Sequence, residues 1–196
     1  MKLAYVARLG LKEFRAIKFI NKLTEHYDLV ILGGDGTPNP EHLTRDKVLI
    51  VSGDEDDILI TKKAREYEIL MDGRIYDFKG LKIAGIGGLQ SHQDIKRILS
   101  EDSKIDILVS HYPPYGCLDT VRVGQRDVNI GIMELNDVLS KVSLLVLFTH
   151  VEVLGGVYLK GNIIMLGLNG GIGRYIEVTD KEGLNIGFNS LNLFSH

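Results

Sequence analysis

The chain has 196 residues, 44% of them hydrophobic and 25% charged, with a formal net charge of -3. That length suits one domain over residues 1–196 with a sizeable core, and the slight acidity excludes a generally basic surface, so nucleic acid is not an indicated partner. A single cysteine, Cys117, excludes an internal disulfide framework; no apolar run reaches the ~18 residues of a membrane span; and the N-terminus enters a strand without a signal-peptide pattern, so the expected location is the cytoplasm.

In chain order, Leu3 to Val6 reads as a first strand. Residues 11–26 read as a helix, with Ala16, Phe19, Ile20 and Leu23 on one apolar face. Strands follow at Asp28 to Leu32 and Val48 to Val51, then a helix from Asp56 to Glu68. Residues 69–86 read as a hairpin-like stretch, turning at Asp72-Gly73 and Lys79-Gly80. Ser91 to Glu101 is a helix with Ser91 as N-cap. Ile105 to Val109 is a strand, residues 113–132 a long loop, and Met133 to Lys141 a helix. Ser143 to Phe148 is the most apolar strand. The tail is short strands between glycine turns: Val157 to Lys160, Ile163 to Leu168, Tyr175 to Thr179 and Leu184 to Phe188. Continuous runs such as Leu144 to Phe148 imply strands buried on both faces. The element order implies two packed sheets with helices outside.

Four of these strands end in an acid or a histidine. Asp35 closes the run that begins at Leu29, Asp54 follows Val48 to Gly53, His111 ends Ile107 to Ser110, and His150 ends Leu144 to Thr149. In α/β sheets, ligands gather outside the carboxyl ends of the strands. Any one Asp after a strand is usually a turn residue or cap, and any one strand-end His is usually hydrogen-bonded. Four at equivalent positions are more specific. Together they form a mixed oxygen and nitrogen set suited to Mn, Fe, Zn or Ni, which can polarise a phosphoryl oxygen and acidify water.

These residues resemble the motifs of the calcineurin-like metallophosphoesterases, in particular the small archaeal and bacterial type. That family carries, in order, Asp-x-His, Gly-Asp, Gly-Asn-His-Asp, Gly-His and Gly-His-x-His. Here the second stands as Gly34-Asp35, the third as Gly53-Asp54-Glu55-Asp56, the fourth as Ser110-His111-Tyr112-Pro113-Pro114, and the fifth as Thr149-His150-Val151-Glu152. Residues Gly80 to Gly88 and Leu168-Asn169-Gly170-Gly171 are similar to further family segments. The resemblance covers nearly the whole chain and implies an α/β, four-layer α/β/β/α sandwich with its site at one edge of the sheets.

The departures shape what the resemblance implies. Motif one falls on Ala7-Arg8-Leu9, which cannot ligate. One family metal site therefore keeps only Asp35 and Glu152. The other keeps Asp35, Asp54, His111 and His150, so one ion of the usual two is expected. Arg8 is a candidate to replace the lost metal charge, although simple strand alternation puts Ala7 and Leu9 on one face and Arg8 on the other. Glu55 stands where the family has a catalytic His. It can act as acid or base only with a raised pKa, and the plainer expectation for Glu55 and Asp56 is a helix N-terminal acid.

Competing features are weaker. Gly33-Gly34-Asp35-Gly36-Thr37 also matches the glycine-rich loop of NAD and lipid kinases, where backbone N–H groups meet phosphate, but Pro38-Asn39-Pro40 follows rather than a helix. Cys117 lacks the Arg of a cysteine-phosphatase loop and reads as structural. His26, His42, His92 and His196 read as surface residues. Arg122 and Arg126 can bind a substrate phosphate if their loop reaches the metal edge, and otherwise are solvated. The expected function is metal-dependent hydrolysis of a phosphomonoester or phosphodiester, the partner being a phosphorylated small molecule or nucleotide. The alternatives are a non-catalytic scaffold of the same fold, with a protein partner or a homo-oligomer, and, more distantly, a nucleotide binder.

Overall fold

The computed structural model describes residues 1–10, 12–150, 155–168, 173–179 and 184–190. Its elements are β1 (Lys2–Val6), α1 (Glu13–Thr24), β2 (Leu29–Leu32), β3 (Val48–Ile50), α2 (Ile58–Glu66), β4 (Arg74–Phe78), β5 (Leu81–Ile86), α3 (Ser91–Ser100), β6 (Ile105–Ser110), β7 (Thr120–Val123), β8 (Arg126–Asn129), α4 (Leu135–Leu139), β9 (Val142–Phe148), β10 (Gly156–Lys160), β11 (Ile163–Gly167), β12 (Arg174–Thr179) and β13 (Asn185–Ser190). Two larger sheets form, in the orders β13-β12-β1-β2-β3 and β10-β11-β9-β6-β5-β4. The inner strands of each run parallel, and β12, β13, β4 and β10 are added antiparallel.

Side-chain alternation explains the layering. Leu3 and Tyr5 of β1, Leu29 and Ile31 of β2, Ile107 and Val109 of β6, and Leu145 and Leu147 of β9 share one buried cluster between the sheets. Their neighbours Ala4, Val6, Val30 and Leu32 turn the other way, against Phe19, Ile20 and Leu23 of α1. Leu108, Val146 and Phe148 pack on Ile95 and Ile98 of α3 and on Leu135 and Val138 of α4. Three buried interfaces separate four layers, the expected α/β/β/α sandwich. Full burial of each large apolar side chain contributes about 1.5–3 kcal/mol, so β-strands buried on both faces anchor the frame.

Several elements differ from the sequence expectation. Helix α2 starts later than Asp56, because Asp57 caps it by accepting the Leu59 N–H at 2.8 Å. Glu55 and Asp56 are therefore loop residues, not helix N-terminal acids. Residues 69–72 are not a hairpin arm. Leu70 bridges Ile50 in one sheet and Asp72 bridges Gly85 in the other, so this segment carries the chain between layers. The hairpin itself is β4–β5, turning at Lys79-Gly80 with both φ positive, as its twist requires. Ser91 is the first residue of α3 rather than its cap; Gln90 takes that place without a side-chain cap bond. Helix α4 is shorter than the expected span from Met133 to Lys141. The long loop 113–132 contains the β7–β8 hairpin. Its residues are almost all exposed, so no apolar alternation marks it. Buried Asp119 closes its base, accepting from Asn129 Nδ2 at 2.8 Å and from the Gly131 N–H at 3.1 Å.

Candidate metal centre

The two sheets end together at one edge, where β2, β3, β6 and β9 release Asp35, Asp54, His111 and His150. One ligand atom from each of these four lies within 4.8 Å of all the others. Sequence separation is irrelevant to this convergence: parallel strands in each sheet direct their carboxyl ends to the same side, and the packing of the two sheets joins those edges.

The backbone is bent to do this. Arg8, Asp35 and His150 adopt φ of 47°, 56° and 81°. Left-handed conformations cost non-glycine residues energy and gather at functional sites. Glycines permit the close approaches. A Cβ on Gly53 would collide with the Asp35 carboxylate, and one on Gly88 would meet the Asp54 amide at 2.5 Å and His111 Cδ2 at 2.8 Å.

Each imidazole is aimed. His111 is fully buried, and its Nδ1 lies 2.9 Å from the Gly33 carbonyl. A carbonyl only accepts, so Nδ1 carries the proton and Nε2 faces inward, the arrangement typical of oriented metal ligands. Nε2 lies 2.8 Å from Asp54 Oδ1 and 3.7 Å from Asp35 Oδ2. Nitrogen and carboxylate lone pairs at that distance repel unless Nε2 gains a proton or both groups share a cation. His150 Nδ1 is 3.5 Å from Asp54 Oδ1, buried, and has no hydrogen-bond partner among the described residues. Burial, then His111, lowers its pKa and favours the neutral, ligating form. An orphaned imidazole nitrogen facing paired carboxylates fits a divalent cation.

The carboxylates are held unequally. Burial raises the pKa of Asp35, with His111 and the Glu55 N–H (3.2 Å) opposing and Asp54 and Asp56 adding repulsion. At Asp54, burial pushes upward, but hydrogen bonding and attraction from His111, then His150, leave its pKa lowered.

Arg8 does not follow strand alternation. Strand β1 has ended, and the left-handed Arg8 separates Ala7, in the inter-sheet core, from Leu9, under the helices. Ala7 and Leu9 thus do not share a face. The Arg8 guanidinium turns into the edge, donating to the His150 carbonyl at 2.9 Å, with Nε 3.9 Å from Asp35 Oδ2. Glu55 contributes its backbone N–H to Asp35, and its side chain is exposed. Glu152 lies outside the described residues.

Two residues matter more than sequence reasoning granted. Tyr112 packs edge-on to both imidazoles, 5.1 Å from the His111 ring and 4.5 Å from the His150 ring. Burial, then Asp54, pushes its phenol up to about 12, so it remains a donor. Its signal was its place between His111 and Pro113. Asp56 is a buried clamp. It accepts from the N–H groups of Asp35 (3.2 Å), Thr37 (3.1 Å) and Gly53 (2.7 Å), and from the Thr37 hydroxyl (2.9 Å). These bonds take the Asp35 and Thr37 amides, and the Gly33 N–H goes to the Val6 carbonyl at 2.7 Å, so three of the five amides of a kinase-like Gly33–Thr37 loop are already engaged. Arg122 faces Asp127 across its exposed hairpin at 4.0 Å. His26, His42 and His92 are exposed and Cys117 is buried, while His196 lies outside the described residues.

Behind the Asp54 loop, the Ser52 N–H and hydroxyl donate to Asp72 at 3.0 and 2.6 Å. Asp94 receives the Gly87 N–H at 3.1 Å and faces Arg97 at 3.4 Å. Burial, then the Asp72 charge, raises its pKa from 3.8 to about 6. The folded state therefore binds this proton more tightly than the unfolded chain. The charged form destabilises the fold above pH 6, and that penalty fades as the pH falls toward 4. Asp94 should stabilise the protein by roughly 1 kcal/mol between pH 7 and pH 5. Urea unfolding at the two pH values checks this: Asp94→Asn should flatten the trend, and an unchanged slope would contradict the assignment.

No protein-family model matches the chain, and no curated protein matches it. Solved structures do. One crystal structure superposes with a TM-score of 0.67 at 14% identity, over 97% of this chain and 99% of its own. A hypothetical protein from Thermus thermophilus gives 0.59 at 15% identity, over 98% of this chain and 100% of that one. A conserved predicted phosphoesterase from Streptococcus pneumoniae gives 0.56 at 12% identity, over 96% and 88%. No helix among the described residues is long and apolar enough to cross a membrane. Two parallel-rich sheets between helices, a cluster of Asp and His at their joint edge, and these superpositions together give this chain the metallophosphoesterase fold.

Proposed function

We propose that this protein hydrolyses a phosphomonoester or phosphodiester with one divalent ion held by Asp35, Asp54, His111 and His150. The observation that carries the reading is the convergence of those four side chains within 4.8 Å. When bound, the ion would polarise a phosphoryl oxygen and acidify water. Asp35 and Asp54 supply the negative charge that retains it, and the two imidazoles supply neutral nitrogen donors. Arg8 places a fixed positive charge beside Asp35, where the resemblance implies a second ion and where Ala7 and Leu9 cannot ligate. A guanidinium there also suits a phosphate oxygen. The protonated Tyr112 hydroxyl can donate a hydrogen bond to the departing oxygen, and Glu55 serves the site through its backbone N–H to Asp35. The substrate fitting this chemistry is a phosphorylated small molecule or nucleotide in the cytoplasm.

A binding-only role is the second reading, favoured by the buried, non-ligating Ala7 and Leu9 at the motif-one positions. One experiment separates the two. Purified protein is stripped with chelator, reloaded with Mn²⁺, analysed for metal content, and assayed with an aryl phosphodiester and an aryl phosphomonoester. The hydrolytic reading expects one ion per chain and turnover that chelator removes. One bound ion without turnover of either ester would leave the binding role standing.

A further inference from the structure

The β-sheet edges of this molecule are not equally protected. Strand β4 carries Arg74 and Asp77, and β13 is built largely from Asn, Gly and Ser. Strand β3 is only three residues long and is bridged by Leu70. Strand β10 is different. Among the described residues it pairs only with β11, forming the other end of its sheet, and Val157, Tyr158 and Leu159 are 53%, 38% and 69% exposed. Its sole charge, Lys160, sits at the strand end, bonded to Asn136 Oδ1 at 3.1 Å. Natural proteins shield such edges with charge, proline or bulges, and an apolar edge left open is a template for another strand.

We infer that β10 is the interface through which two copies of this chain pair, edge to edge and antiparallel, about a two-fold axis at Tyr158. The register argues for a second copy. The two-residue turn Gly161-Asn162, with Gly161 at φ 61°, joins Lys160 to Ile163 as the closing pair of the β10–β11 hairpin. Hydrogen-bonded and non-bonded pairs alternate from there. Gly156, Tyr158 and Lys160 thus point their backbone groups at β11, and Val157 and Leu159 turn theirs outward. A two-fold at Tyr158 sets Val157 opposite the partner's Leu159, and Leu159 opposite the partner's Val157. Each outward N–H and C=O then finds its counterpart. Both apolar side chains share the face of Leu166 and Ile164, so the cross-strand contacts are apolar. Lys160 meets the partner's Gly156, so no like charges oppose. The strand is complementary to itself without any change of sequence.

Sedimentation velocity of the full chain across a concentration series tests this. The expected result is a monomer that passes to twice its mass as concentration rises, because two strands alone give a small interface. Leu159→Lys puts a charge on the open edge. Val157→Pro removes an N–H that β11 does not use. Each should weaken dimerisation on the order of tenfold or more, whereas Phe188→Lys on β13 should leave it unchanged. A wild type that stays monomeric, or a dimer that both β10 variants retain, overturns the inference. Amide hydrogen exchange of the wild type gives a second readout that needs no variant to fold. Val157 and Leu159 should exchange more slowly at high concentration, and concentration-independent exchange at both amides overturns the pairing.

Discussion

Replacing Asp35 with alanine should abolish metal-dependent phosphoester hydrolysis, a loss of more than about 100-fold, because altering even outer partners of metal ligands costs about 10–100-fold. Asp35 is the residue that all the site's forces meet. It is almost fully buried, faces His111 at 3.7 Å and Arg8 at 3.9 Å, and takes the Glu55 N–H. The ligand oxygens of Asp35 and Asp54 lie within 4.8 Å of each other, and two unit charges at that limit interact by about 3.5 kcal/mol at an effective dielectric near 20, less where solvent reaches the half-open Asp54. A cation converts that repulsion between Asp35 and Asp54 into attraction for itself. Asp35→Asn keeps the shape and one oxygen while removing the charge. In metal-free protein it should raise the thermal midpoint, and it should erase the further rise that Mn²⁺ gives the wild type. Calorimetry with and without Mn²⁺ reads both. A variant that still gains stability from Mn²⁺ as the wild type does would remove Asp35 from the ligand set.

The second large effect is expected at Asp56, which makes no contact with the proposed ion. Alanine there deletes an acceptor shared by three backbone N–H groups and one hydroxyl. Hydrogen bonds to a charged group contribute about 1.5–3 kcal/mol each, and leaving several buried donors unpaired places the loss at roughly 3–5 kcal/mol. Because Asp56 ties the loop after β2 to the loop after β3, the same variant should weaken Mn²⁺ binding by about tenfold or more. Urea unfolding and metal titration of Asp56→Ala test the two halves separately. Full stability together with unchanged Mn²⁺ affinity would show that the clamp is dispensable.

The frame was legible in sequence because it rests on periodicity. Apolar runs before Asp35, Asp54, His111 and His150 mark strands buried on both faces, and the Ala16, Phe19, Ile20 and Leu23 stripe marks the helix that covers one sheet. Elements stabilised by other means were not legible. The β7–β8 hairpin is exposed and held at its base by Asp119, and residues 69–72 are set by bridges to two different sheets. Neither leaves a hydrophobic period to read. Asp56 looked like an ordinary acid near a helix start, since its donors come from loops distant in sequence.

By itself, then, the sequence determined where the apolar strands form and that each of four would end in an acid or a histidine, because burial pattern and strand polarity are local properties. Only the tertiary structure decided that those four ends meet, that His111 is aimed by the Gly33 carbonyl, and that Arg8 faces Asp35. The physical reason is that these depend on the packing of two sheets and on one left-handed backbone angle at Arg8, and neither packing distance nor a single dihedral is written in the spacing of residues along the chain.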